Sequence, residues 1–453
     1  MQNRSTSLTE GPIWKKLLLF AFPIFLGNVF QQLYNTADTL IVGRFLDKSA
    51  LAAVSSSGSL IFTLVGLFSG IAMGAGVVVS RHYGADDHES LEKAVHTDVA
   101  FGLVIGVVMT VIGMGFSPTI LRWMGTPENV MPNSVAYFRM YFAGSVFVVL
   151  YNISTGILQA VGDSRHPLYY LIFSSVTNIL LDLLFIGVFH WGVWSAAFAT
   201  TISQGLSCVL SYRLLLRAPG PYRLQVRKIR IDRQSLIDIV RMGVPSGIQN
   251  CITSVANLVV QTNINRFGDA AMAGCGTYFK IEGIGFLPIT CFTMAMATFV
   301  GQNLGAKKYD RAKQGAKFGM LCSVLLAEMM GVLIWIFAPQ LIGMFSSDPE
   351  IIAFGVRQAQ LEAFFYGVLA VSHCSAGILR GAGKATVPMF TMMGVWCFFR
   401  ISYITVMMHF FPMIEVVFSA YPLTWTIAST ILGIYLLKAD WLHNFDRLDA
   451  RRA

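Results

Sequence analysis

Two aspartates sit where this sequence should be crossing a bilayer, and each brings polar company. Asp38 closes the string Gln31-Gln32-Leu33-Tyr34-Asn35-Thr36-Ala37-Asp38, deep in an apolar run that begins near residue 17. Counted back along a helix, Asn35, Tyr34 and Gln31 stand at i−3, i−4 and i−7, so four polar groups share one face. Asp182 lies in a later run with Asn178 one turn before it, again on one face. Thr200 and Thr201 follow in the next run, and Asn152 lies in the run before. An ionised aspartate at mid-bilayer costs about 2.5–3.5 kcal/mol on insertion scales, so such residues need a reason. Two carboxylates, an amide carbonyl and a hydroxyl make an oxygen cage for a hard cation such as Na⁺, and they suit protons equally. The plainer alternative is that each aspartate hydrogen-bonds inside its own bundle for packing.

The second half of the chain carries Lys280, Glu282, Glu328, Glu362 and Arg400 within or near apolar runs. Both signs are present, so mutual pairing inside the bundle is expected, with Glu282 a candidate for gripping a cationic substrate. Fourteen of the 21 methionines lie beyond residue 240, a soft lining that suits varied apolar ligands but serves ordinary packing as well. The seven cysteines are odd in number and scattered, which fits neither a disulfide framework nor a metal site. Enzyme motifs fail on inspection. Gly381-Ala382-Gly383-Lys384-Ala385-Thr386 lacks the leading glycine of a phosphate loop, since Ile378 stands there. No cofactor and no catalytic residue is expected, and the energy for any transport must come from an ion gradient.

The elements that must hold these residues follow from composition. Of 453 residues 55% are hydrophobic and 13% are charged, where soluble domains average about 25% charged. Apolar stretches near 17–37, 60–79, 100–116, 168–189, 318–337 and 389–408 each reach the roughly twenty residues that span a hydrocarbon core as helix. The pattern predicts twelve transmembrane helices. Alternate connections differ sharply in charge: one set, with both termini, holds 25 of the 33 Lys and Arg. Positive charge stays cytoplasmic, so both termini are predicted inside a bacterial inner membrane. The basic stretch 213–241 alone carries eight of these residues, which suits an anionic leaflet and not nucleic acid.

Sliding the chain on itself by about 221 residues reveals a repeat. Phe22-Pro23 falls on Val244-Pro245, and Gly156-Ile157-Leu158-Gln159-Ala160-Val161-Gly162 on Gly377-Ile378-Leu379-Arg380-Gly381-Ala382-Gly383. Six spans per half give parallel repeats. The expected domains are 1–212, a basic linker 213–241, and 242–453. Duplication of this kind serves a carrier whose halves rock, more than a receptor or scaffold.

These residues resemble the MATE (multidrug and toxic compound extrusion) transporters. The segments that carry the resemblance are Pro23 through Asp38 to Gly43, the string from Leu158 to Pro167 with its twin from Leu379 to Pro388, the stretch from Asn178 to Asp182, and that from Gly192 to Ser203. The resemblance implies an all-α membrane protein of twelve transmembrane helices in two six-helix lobes around a V-shaped central cavity. It implies export of organic cations or amphiphiles in antiport with H⁺ or Na⁺, by a monomer whose partners are its substrates and the lipid bilayer. It places a cation-coupling site on Tyr34, Asp38, Asn152, Asn178, Asp182 and Thr200, with Na⁺ possible at Asp38, Asn178, Asp182 and Thr200, and a bend of the first helix at Pro23. Gln31, Asn35, Gln249 and Glu282 are candidates for lining the substrate cavity. The chain departs from members with a carboxylate in the seventh helix, where it has only Gln249, Asn250, Asn257 and Asn263. A lipid-linked saccharide flippase of the related superfamily is the alternative within transport, and a membrane scaffold or receptor the alternative outside it.

Overall fold

A computed structural model describes residues 7–46 and 48–450. Among them the chain is helical and no strand occurs. The first six helices are α1 (Ile13–Phe45), α2 (Lys48–Gly84), α3 (His88–Trp123), α4, α5 (Arg165–Asp182, continued as a π-helical turn Leu183–Val188) and α6 (Trp194–Arg217). α4 is bent by 46° between Met131–Ala143 and Ser145–Ala160. Glycine is required at that bend, because a Cβ on Gly144 would lie 2.4 Å from Thr201 Oγ1.

The second six are α7 (Arg233–Ile264), α8, α9 (Tyr309–Gly343), α10 (Pro349–Glu362, then Tyr366–Gly381), α11 and α12 (Ile414–Lys438), followed by a short α13 (Asn444–Ala450). α8 is bent by 40° between Asp269–Gly285 and Leu287–Gly305, so both halves share this break. α11 runs from Thr386 to Phe410 through a π-helical turn at Met393–Phe399. Eight helices among the described residues are long and apolar enough to cross a membrane, or ten when each bent pair counts as one span. The two that fall short are α6 and α7, which carry Thr200, Thr201, Gln249 and Asn250 in place of aliphatic residues.

The helices form two compact units, one of Leu26–Val244 and one of Leu8–Phe25 with Pro245–Ala453. Packing thus departs from chain order at two places. The start of α1 belongs with the second unit, where Leu8 N donates to Gln302 Oε1 at 2.9 Å and the Arg311 guanidinium donates to the carbonyls of Leu8, Glu10 and Gly11. The start of α7 belongs with the first, where it meets α2 so closely that a Cβ on Gly74 would lie 2.3 Å from Gly243 Cα. Small residues allow this approach where lipid supplies no hydrophobic drive between helices. The two units change over at Phe25/Leu26 and at Val244/Pro245, beside the prolines that the repeat superimposes.

The linker is an ordered strap over the start of α3. Gln225 N donates to His96 Nε2 and Asp232 N to Thr97 Oγ1, both at 3.0 Å, while Lys228 pairs with Glu92 at 2.6 Å. Asp232 then accepts from the backbone N–H and the hydroxyl of Ser235 at 2.9 Å each, opening α7. The Ser235 N–H holds the Asp232 carboxyl below the usual carboxylate range.

Candidate coupling site

In the first unit α1 and α5 bring the two aspartates together. Asp182 is fully buried on the last turn of α5, and Asp38 is half-buried on α1. Their carboxyl groups lie within hydrogen-bonding reach of each other. An ionised carboxylate only accepts, so a bond between two carboxyls needs a proton on one of them. On each aspartate Oδ1 is buried and has no protein partner.

Asn178, 2% exposed, sits between Asp182 and α6. With its amide nitrogen toward Asp182 it donates to Oδ2 at 3.2 Å and accepts from Thr200 N at 3.3 Å, which satisfies both ends. Thr200 Oγ1 in turn donates to Ala196 O at 3.1 Å. The π-helical turn starts at the residue after Asp182, a local departure common at functional positions in helices.

Tyr34 on α1 lies within electrostatic range of both carboxyls and of Tyr141 and Tyr151. Asn152 stands further off. Its amide donates to Val148 O at 2.8 Å and accepts from Ser69 Oγ at 3.4 Å, and it lines a small apolar space with Phe68, Met109 and Tyr141. Tyr141 thus borders both this space and Tyr34. Gln31 and Asn35 are exposed on α1. Pro23 is buried inside α1, two residues before the changeover between units.

Sequence reading missed Tyr137, whose phenol is within range of Asp38, Asp182, Tyr34 and Tyr141. The i, i+4 spacing of Tyr137 and Tyr141 was the available signal, hidden because tyrosine near a membrane boundary is ordinary. It also missed Asp98, buried on α3.

The second unit corrects one expectation. None of Lys280, Glu282, Glu328, Glu362 and Arg400 forms an ion pair with another among the described residues. Arg400 instead donates to Thr424 Oγ1 through Nε at 3.2 Å and Nη2 at 2.7 Å, and stacks on Tyr421 and Trp396 at 4.5 and 5.2 Å. Aromatic faces can take a guanidinium that has no carboxylate. Glu362 accepts from Gln358 Nε2 at 2.9 Å, Glu328 from Gly367 N at 2.8 Å, and Lys280 lies over Phe345. Glu282 is half-buried, within range of Arg400 and Glu362. Gln249 is buried and accepts from Arg380 Nη1 at 3.3 Å.

The profile of the MatE family matches residues 23–184 and 245–406, one copy in each half of the chain. The chain belongs to the MatE family. It is similar to the probable multidrug resistance proteins YoeA and YpnP of Bacillus subtilis (strain 168). YoeA is 30% identical over 396 residues, covering 86% of each chain, and YpnP 29% over 381, covering 84% of this chain and 85% of YpnP. Among solved structures, the outward-facing conformation of a multidrug resistance MATE family transporter of the MOP superfamily superposes with a TM-score of 0.89 at 21% identity, over 99% of both chains. The fold is therefore that of MATE transporters, twelve transmembrane helices in two sets of six, and the chain is a transporter and not an enzyme. MatE proteins work without a cofactor and draw on ion gradients.

Proposed function

We propose that this MatE protein exports small organic cations and amphiphilic drugs in exchange for protons that bind at the Asp38–Asp182 pair. The observation that carries the reading is the pair itself: two carboxyls within hydrogen-bonding reach, one of them fully buried, each with an idle oxygen. The names of YoeA and YpnP support the drug class. Asp38 and Asp182 take and release the proton. Asn178 and Thr200 orient Asp182, Tyr34 borders the pair, and Asn152 acts from further off, across Tyr141. Protons are favoured over Na⁺ because a hydrogen bond between the two carboxyls needs a proton on one of them.

Alternation between two lobes would turn proton binding into drug release, with Pro23 as the flexible point of α1. Gln31 and Asn35 are the proposed substrate contacts of the first unit, and Gln249 and Glu282 those of the second. The positive charge of alternate loops supports both termini on the cytoplasmic side of a bacterial inner membrane, and the protein is proposed to act as a monomer.

The test is transport of a fluorescent cation by the purified protein in liposomes, driven separately by a pH gradient and a Na⁺ gradient. Uptake under the pH gradient alone is expected. Uptake that requires Na⁺ would transfer the same site to Na⁺ coupling, and flux under neither gradient would refute the antiport reading.

A further inference from the structure

Asp98 is a second buried carboxyl position in the first unit that nothing above uses. It lies on α3, 1% exposed, and its Oδ2 has no hydrogen-bond partner. Thr97 beside it receives Asp232 N from the linker strap, so Asp98 sits just beneath the strap at that end of the unit. One titratable neighbour is on α6. The phenol of Tyr212 lies within electrostatic reach of Asp98, and Cys208 stands one turn before Tyr212. Among the described residues Asp98 forms no ion pair. A carboxylate buried without a counter-ion is costly, and the simplest charge compensation is a proton.

A line of buried polar groups runs from this position toward Asp182. On α6, Thr200, Ser203, Ser207 and Ser211 recur at steps of three, four and four residues, which is one face of a helix. The three serines are at most 1% exposed. On α5, Ser175, Asn178 and Asp182 recur at steps of three and four, and all are buried. The two faces meet: Ser207 Oγ donates to Tyr170 O on α5 at 3.1 Å, and Asn178 meets Thr200. Ser175 Oγ, Ser211 Oγ and Tyr212 Oη are buried without a partner, so hydroxyls along the line keep hydrogen-bonding capacity in reserve. A hydroxyl both donates and accepts, which is what passing a proton demands.

We infer that Asp98 carries the proton between the Asp38–Asp182 pair and the strap-covered end of the first unit, through the hydroxyl line of α5 and α6. The inference rests on the proposed proton coupling and adds the route the proton takes. Each transfer hands one proton from a donor oxygen to the next acceptor and consumes nothing else.

The test compares wild type, D98N, D98E and D38N as full chains in liposomes, with ethidium as the transported cation. D98N is expected to slow pH-gradient-driven transport at least about tenfold while ethidium affinity at equilibrium stays within about twofold, and D98E to restore most of the rate. The dependence of rate on the pH of the strap-side compartment should flatten in D98N, which a purely structural role would not produce. Wild-type transport in D98N beside an inactive D38N overturns this inference and leaves the coupling reading standing. Wild-type transport in D38N overturns the coupling reading itself. Slowing of D98N with a matching loss of ethidium affinity marks a structural role and also overturns the inference. If D98N does not fold, S207A and S211A carry the test: a slowed rate in either supports the route, and wild-type rates in both refute it.

Discussion

At the scale of single residues, the pair of aspartates depends on a third side chain that is itself uncharged. Asn178 is the hydrogen-bonding link between Asp182 on α5 and Thr200 on α6, and it has no exposure to speak of. Replacing it with alanine leaves Asp182 Oδ2 and Thr200 N without that partner, and an unsatisfied buried group costs about 1–3 kcal/mol. Asn178→Ala is therefore expected to lower the thermal unfolding midpoint in detergent and to weaken gradient-driven transport, while Asn178→Asp would place a third carboxyl in the cluster. A midpoint unchanged by the alanine would show that the amide contributes no net stability. Asp38, Asp182 and Asn178 were legible in the sequence because an intramembrane aspartate is rare and helical spacing names its neighbours. Tyr137, Tyr141 and Asp98 were not. Two of these are tyrosines, common in membrane helices, and Asp98 lies only ten residues into α3, where a carboxylate passes for a boundary residue until its burial is known.

At the scale of helices, glycine decides which pairs approach. Gly74 of α2 and Gly243 of α7 come so close that any Cβ on Gly74 meets backbone, not a flexible side chain. Gly74→Ala must push two helices apart, and overpacking of this kind costs typically about 1–3 kcal/mol. The variant is expected to unfold several degrees lower than wild type in detergent, whereas Gly115→Ala, where a Cβ meets nothing within 4 Å, should unfold with the wild type. Equal midpoints for both variants would contradict the packing described. Such contacts are invisible in sequence, because a glycine in a membrane helix does not say which neighbour it admits. The bends of α4 and α8 were equally hidden. The breaks fall where Gly144 and Phe286 interrupt two shorter segments. The absent ion pairs of α8 to α11 teach the same lesson, since Arg400 takes two aromatic rings and Thr424 in place of the carboxylates available in the same unit.

At the scale of the molecule, the repeat of about 221 residues was legible from Pro and Gly strings alone, and the MatE match covers one copy in each half. What the repeat did not reveal is that the halves exchange helix ends. Leu8–Phe25 packs in the second unit and the first turns of α7 pack in the first, each crossing beside its proline. The exchange comes from contacts far apart in sequence, such as Arg311 with the carbonyls at residues 8, 10 and 11. Chemistry is not duplicated with the backbone. Asp38, Asn178 and Asp182 have no carboxylate or amide at the positions one repeat later, so proton coupling is expected to reside in the first unit alone. The direct test is to follow proton uptake and drug efflux together in liposomes carrying wild type, Asp38→Asn or Asp182→Asn. Loss of drug-linked proton movement in both variants, with folded protein and retained drug binding, is expected. Proton-coupled efflux at the wild-type rate in either variant would contradict it.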